Sequence, residues 1–346
     1  MGIYFYFYLY LALLLFTSVS RFLKISEHIV LFIFVLFYSL NAYRFENINS
    51  DTANYYWYFS NALSYNSFID LYYSYDWGKV ELGLKVIAYL LPSFLNPFVF
   101  LNLINIYIFI YLYTELRKIN VRVFSVFIYF YVCFFVFIFD LAIIRFSLSA
   151  LIILVAFHQL VYKNRNIKKV LVLMLLSGLF HLSGFIFGLL LLYFYLSKVS
   201  KLNTKFMWAV PFILIVILEG YLSFFGSFFG EYYYNLIQNT SEFRISPRII
   251  IELMFISWGC FYYRKTHFSS HCKLLFIIFL FSSFVEVYFG FAFFNRIRVV
   301  VWLLFIYLIS TTWKMGILNI NFKTFMFIYG ILIFSVQAMN NLEHWS

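Results

Sequence analysis

The sequence predicts an all-α, polytopic integral membrane protein of about twelve transmembrane helices, a single membrane domain over residues 1–346. Three observations lead there. Charged residues are 11% of the chain, 64% is hydrophobic and mean hydropathy is +0.90, whereas a soluble domain carries about 25% charged residues. Apolar runs recur along the whole chain, which has room for roughly ten to thirteen spans of about 20 residues. The polar connections between those runs also differ sharply in charge, as membrane topology requires.

The runs can be taken in order. The first, 2–19, has no basic n-region and no small-residue cleavage site, so it reads as a retained span rather than a signal peptide. Others fall at about 29–43, 97–113, 123–139, 143–161, 170–196, 206–219, 249–263, 273–291, 299–313 and 324–338. One set of connections and run ends, from Arg21 and Lys24 through Arg117, Lys118 and Lys163–Lys169 to Lys314 and Lys323, holds 17 of the 25 Lys+Arg with only Glu27 and Glu115 for company. By the positive-inside rule that set is cytoplasmic. The other set, with 8 Lys+Arg and 12 of the 14 acids, faces the periplasm or cell exterior.

Strict alternation imposes two conditions. The run 170–196 is flanked by inner lysines on both sides, so it must be a broken hairpin; as one helix it would stretch about 40 Å and strand one lysine cluster outside. The stretch 80–94 carries Glu81 and Lys85 and ends near Pro92, which suits an interfacial or re-entrant helix rather than a span. The hairpin counts as two, giving twelve spans with both termini outside. Two long loops, about 44–96 and 220–248, then lie on the outer face.

Several chemistries are excluded. Cys133, Cys260 and Cys272 form no CxxC pair, so neither a zinc site nor a disulfide framework is indicated. The net charge of +11 is not accompanied by any nucleic-acid-binding pattern. No GxxxxGK[ST], GxGxxG, GxSxG or HExxH motif is present, and no metal or other cofactor is expected.

Of the eight outer cations, six are arginine: Arg44, Arg145, Arg244, Arg248, Arg296 and Arg298. Arginine's planar fork suits phosphate or carboxylate, while lysine dominates the inner face as a topology anchor. The alternative for each is a local ion pair or snorkelling to headgroups. Asp51, Asn54 and Tyr55 open a helix in the first outer loop, where Asp51 is either a carboxylate beside sugar-stacking aromatics or, like Ser50, an N-cap. Glu81 opens the interfacial helix, a favourable position for any acid. Asp140 and Arg145 lie at the outer membrane boundary and either pair with each other or bind ligand. His181, at the hairpin tip, is a general-base candidate or a histidine hydrogen-bonded within the bundle. Arginines, carboxylates and an imidazole reached from the bilayer suit displacement of a lipid-linked diphosphate.

These polar islands resemble a known family. Arg44-x6-Asp51-Thr52-x-Asn54-Tyr55, Glu81-x-Gly83, Ile144-Arg145-x3-Ser149-Ala150, Phe180-His181-x-Ser183 and a late Arg296 stand in the order seen in EpsG-like proteins, which are Wzy-type polymerases of O-antigen and exopolysaccharide. Ser50 and Phe146 stand where the family often has Gly and Gln. The resemblance implies a GT-C-like helical fold in the bacterial inner membrane. It also implies metal-independent transfer of a glycan from undecaprenyl diphosphate onto the next lipid-linked repeat unit, on the outer face. Expected partners are the lipid-linked donor and acceptor, the bilayer and a chain-length regulator protein, with no nucleic acid. On this reading Arg145, Arg296, Arg298 and Arg248 hold diphosphate. Asn54, Tyr55 and Asp140 contact sugar, and His181, Asp51 and Glu81 are the catalytic candidates. An O-antigen ligase would share this chemistry and differ in acceptor; a lipid-linked oligosaccharide flippase ranks third, because no repeat symmetry and no acidic inner gate stand out.

Overall fold

The structure is a computed structural model. It describes residues 3–22, 25–41, 50–74, 80–91, 97–120, 122–137, 144–162, 167–181, 183–184, 187–189, 191, 247–289 and 292–345. Thirteen helices and no strand occur among the described residues: α1 (Ile3–Phe22), α2 (Glu27–Asn41), α3 (Ser50–Ala62), α4 (Phe68–Tyr73), α5 (Leu82–Leu90), α6 (Pro97–Ile119), α7 (Val123–Phe134), α8 (Ile144–Tyr162), α9 (Ile167–Phe180), α10 (Pro247–Tyr263), α11 (Ser269–Phe289), α12 (Ala292–Thr312) and α13 (Ile320–Trp345). Four of these helices contain segments long and apolar enough to cross a membrane: Val99–Ile119, Ile144–Tyr162, Asn295–Thr312 and Ile320–Asn340. Phe5–Ser20, Glu27–Leu40, Val123–Phe134 and Ser269–Phe284 are shorter apolar helices. The chain is an all-α, multi-pass membrane protein. The span expected at 206–219 and the outer loop 220–248, apart from its last two residues, lie outside the described residues.

The chain divides into two compact units: Met1–Val155, Leu179–His181 and Ile306–Ser346 form the first, Ala156–Gly178 and Leu182–Phe305 the second. In the first, α7 is the core: each of its residues is buried, with α1, α2, α6 and α13 around it. A helix apolar on every side has no water-facing stripe and belongs in the middle of a bundle. Aromatic contacts knit it in, with Tyr131 against Phe109 at 4.9 Å and Tyr129 stacked on Phe327 at 4.7 Å. The two acids assigned to the inner face have structural partners. Glu27 accepts a hydrogen bond from the Ser125 backbone N–H at 2.9 Å and so caps α7 from a neighbouring helix. Glu115 takes Lys118 at 2.9 Å. Gly316, in the left-handed region at φ +72°, turns the chain from α12 into α13, and Asn319 caps α13 through the Phe322 N–H at 2.8 Å.

In the second unit α10 and α11 form an antiparallel pair joined by a short turn at 264–268. The break expected near residues 178–185 is present, since α9 stops at Phe180. A Cβ on Gly188 would lie 2.9 Å from the Met174 side chain, whereas 14 residues of straight helix would separate the two by about 21 Å. The chain therefore folds back, as the lysines on both flanks demanded.

The candidate polar site and the family of the chain

The stretch between α2 and α6 carries three short helices that form a layer, with α5 against both α3 and α4. Ser67 caps α4 by accepting from the Asp70 N–H at 3.1 Å. Glu81 is the N-cap residue of α5, yet its side chain makes no capping hydrogen bond. Its carboxylate instead accepts a hydrogen bond from Nη1 of Arg145, the second residue of α8. Arg145 Nε donates to the Tyr55 hydroxyl at 2.9 Å, and the guanidinium carbon lies 5.4 Å from the centre of the Tyr55 ring. Three residues singled out in widely separated stretches thus meet in one constellation. Its charged pair is partly buried, with side-chain exposures of 24% for Arg145 and 20% for Glu81, so the attraction is stronger than at a free surface.

Gly83 explains how α5 reaches this position. A Cβ there would sit 2.7 Å from the Leu179 carbonyl oxygen and 3.2 Å from the Phe180 ring. Only glycine allows α5 to lie directly on those residues. The next residue, His181, is buried, and its ring meets Phe146 edge-on at 5.3 Å. His181 and Arg145 are therefore linked through consecutive α8 residues, 145 and 146. Lys85, one turn beyond Glu81, donates to the Tyr72 carbonyl at 3.1 Å and lies 4.7 Å over the Tyr72 ring. Burial lowers its pKa from the ordinary lysine value.

The other sequence candidates are placed as follows. Asp51 lies in the first turn of α3, and Asn54 is exposed while Tyr55 is buried. Asp140 lies outside the described residues. Arg248, Arg296 and Arg298 are carried by the second unit. There Arg248 Nε donates to Glu252 Oε1 at 2.7 Å, and Arg298 Nη1 donates to Glu252 Oε2 at 3.0 Å. Arg298 also forks onto Glu286 through Nε at 3.0 Å and Nη2 at 3.2 Å, and reaches Asn295 Oδ1 at 3.0 Å. Arg296 is half-buried.

Sequence reading missed Glu252 and Asn295. Glu252 had a legible signal, an acid inside an apolar helix four residues after an arginine, which is costly in a membrane unless paired. Asn295 had none beyond its nearness to Arg298.

No curated protein and no solved structure is matched. The EpsG family model matches residues 27–344, a stretch that contains every residue of both clusters. The chain belongs to the EpsG family.

Proposed function

We propose that this chain is a glycosyltransferase that joins undecaprenyl-diphosphate-linked oligosaccharide repeat units into O-antigen or exopolysaccharide on the outer face of the bacterial inner membrane. The observation that carries this reading is the meeting of Arg145, Glu81 and Tyr55, three motif residues of a chain in a family associated with polysaccharide polymerisation. In this mechanism Arg145 exchanges Glu81 for the donor's diphosphate, which its fork can grip with two parallel hydrogen bonds. The freed Glu81 carboxylate takes the proton of the acceptor sugar hydroxyl. The hydroxyl oxygen bonds to the donor's anomeric carbon, the bond from that carbon to the phosphate oxygen breaks, and undecaprenyl diphosphate departs with the bonding electrons. Asp51, Asn54 and Tyr55 on α3 and Asp140 contact the sugar, and His181 is the alternative base. In the second unit Arg248 and Arg296 are assigned to phosphate. Arg298, whose guanidinium already makes four hydrogen bonds, holds Glu252 and Glu286 in place.

The test is deletion of the gene in its host, with the surface polysaccharide run on a gel. Loss of the ladder with a single repeat still attached to the lipid core supports polymerase. Loss of all repeats with lipid-linked polymer accumulating replaces it with a ligase. Repeats trapped on the cytoplasmic face replace it with a flippase, and an unchanged pattern removes the reading.

A further inference from the structure

Helix α5 is inside out by the standards of a water-soluble helix. Its apolar stripe Leu82, Val86, Tyr89 and Leu90 is exposed, while its single charge, Lys85, is 5% exposed. The stripe follows the i, i+4, i+7, i+8 spacing of one helix face, so lipid rather than water is the medium it suits. Helix α4 continues the same surface with Ile69 and Tyr73, the latter 79% exposed, and the Phe68 and Tyr89 rings meet at 5.6 Å between the two helices.

Beneath that surface sits a cation, Lys85, with no ion pair to any described carboxylate. Among the described residues Lys85 makes one of the three hydrogen bonds an ammonium can donate. Its described partners are the Tyr72 carbonyl and the face of the Tyr72 ring, and neither carries a formal negative charge. Arg145, by contrast, is already balanced by Glu81. A buried, unbalanced ammonium is costly in an empty protein and becomes favourable when an anion arrives.

We propose that α4 and α5 seat the head and first isoprene units of a polyprenyl diphosphate, with Lys85 as the phosphate ligand and the Ile69–Tyr73–Val86–Leu90 surface as the seat of the tail. The inference deepens the proposed function and rests on it, since it assigns the lipid end of the same substrate. An amphiphile joining an anionic head to a hydrocarbon tail satisfies both features at once, and the donor of the proposed reaction is of that kind. Bulk phospholipid would match the stripe, but its phosphate stays at the headgroup level and does not need a buried lysine.

The experiment titrates the purified full chain with farnesyl diphosphate, inorganic pyrophosphate and farnesol and follows the shift in Tm. In the wild type, farnesyl diphosphate should half-saturate at a concentration at least tenfold lower than pyrophosphate. Lys85→Met should raise that concentration at least tenfold, while Lys85→Arg, which keeps the charge, should stay within threefold. Leu90→Ser should weaken farnesyl diphosphate and leave pyrophosphate unchanged. A Lys85→Met titration matching the wild type overturns the inference alone, and so does farnesol binding as tightly as farnesyl diphosphate. A wild-type chain indifferent to both diphosphates overturns the inference together with the proposed function.

Discussion

Gly83→Ala adds one methyl group far from any reacting atom, and its effect can be worked out from the geometry. The new Cβ would stand 2.7 Å from the Leu179 carbonyl oxygen, against an ordinary contact of 3.4 Å or more. The obstacle is backbone, which cannot rotate aside, so α5 must retreat by about 0.7 Å, the difference between those distances. Such overpacking costs about 1–3 kcal/mol, partly offset by the roughly 1 kcal/mol that alanine gains over glycine inside a helix. Stability should therefore fall by about 0–2 kcal/mol, a Tm decrease of a few degrees. Activity should fall further, because Glu81 rides on the moving helix and a misplacement of about 1 Å costs on the order of 100-fold. The assay is complementation of a deletion strain, scored by polysaccharide ladder against the amount of protein in the membrane. A Gly83→Ala chain that restores the full ladder and melts higher than the wild type would refute the reasoning, because propensity alone would then govern the position.

Four further outcomes are expected. Arg145→Ala should abolish polymer at normal membrane levels and Arg145→Lys should recover little, because a point charge cannot replace the fork; wild-type polymer from either removes the diphosphate role. Glu252→Gln takes the charge from a buried carboxylate that bridges two arginines, and breaking such a pair costs about 3–5 kcal/mol. Immunoblots of membranes should show it depleted, and an unchanged level would mean the bridge contributes nothing. A cysteine in place of Asn49 should react with an impermeant thiol reagent on intact cells and one in place of Asn166 should not; reversed labelling overturns the sidedness. Burial lowers the Lys85 pKa from its ordinary 10.5, so the folded state carries its charge penalty in full below the lowered value and sheds it as pH rises toward 10.5. Any Tm deficit of the wild type against Lys85→Met should narrow over that rise, and a pH-independent difference would contradict the burial argument.

Much of the helical layout was legible because a bilayer writes strong signals into a chain: long apolar runs, an uneven division of arginine and lysine between the connections, and a doubled lysine flank at 163–169 and 198–205 that called for the break after Phe180. Helix ends were less legible. The run read as 97–113 continues to Ile119 in α6, because Glu115, Leu116, Arg117 and Lys118 favour helix even outside lipid. The twelve-span count stays an expectation, with 206–219 outside the described residues. The site was legible as residue types and not as pairs. Asp140, the nearest acid in sequence to Arg145, lies outside the described residues; the described partners are Glu81, brought in with α5 from 64 positions away, and Tyr55, brought in by α3 from 90. Charge patterns and periodicity report local structure, and such distant pairing leaves no local trace. Phe146 shows the same limit: it stood out in sequence as a departure from the family's glutamine, and only the fold places it against His181.

The most direct measurement is reconstitution of the purified chain in proteoliposomes with a single synthetic undecaprenyl-diphosphate-linked repeat unit, with the lipid-linked products resolved by size. The account predicts a ladder of polymers together with released undecaprenyl diphosphate, both lost with Arg145→Ala. Repeat units that remain monomeric in the presence of folded protein, or that only change leaflet, would contradict it.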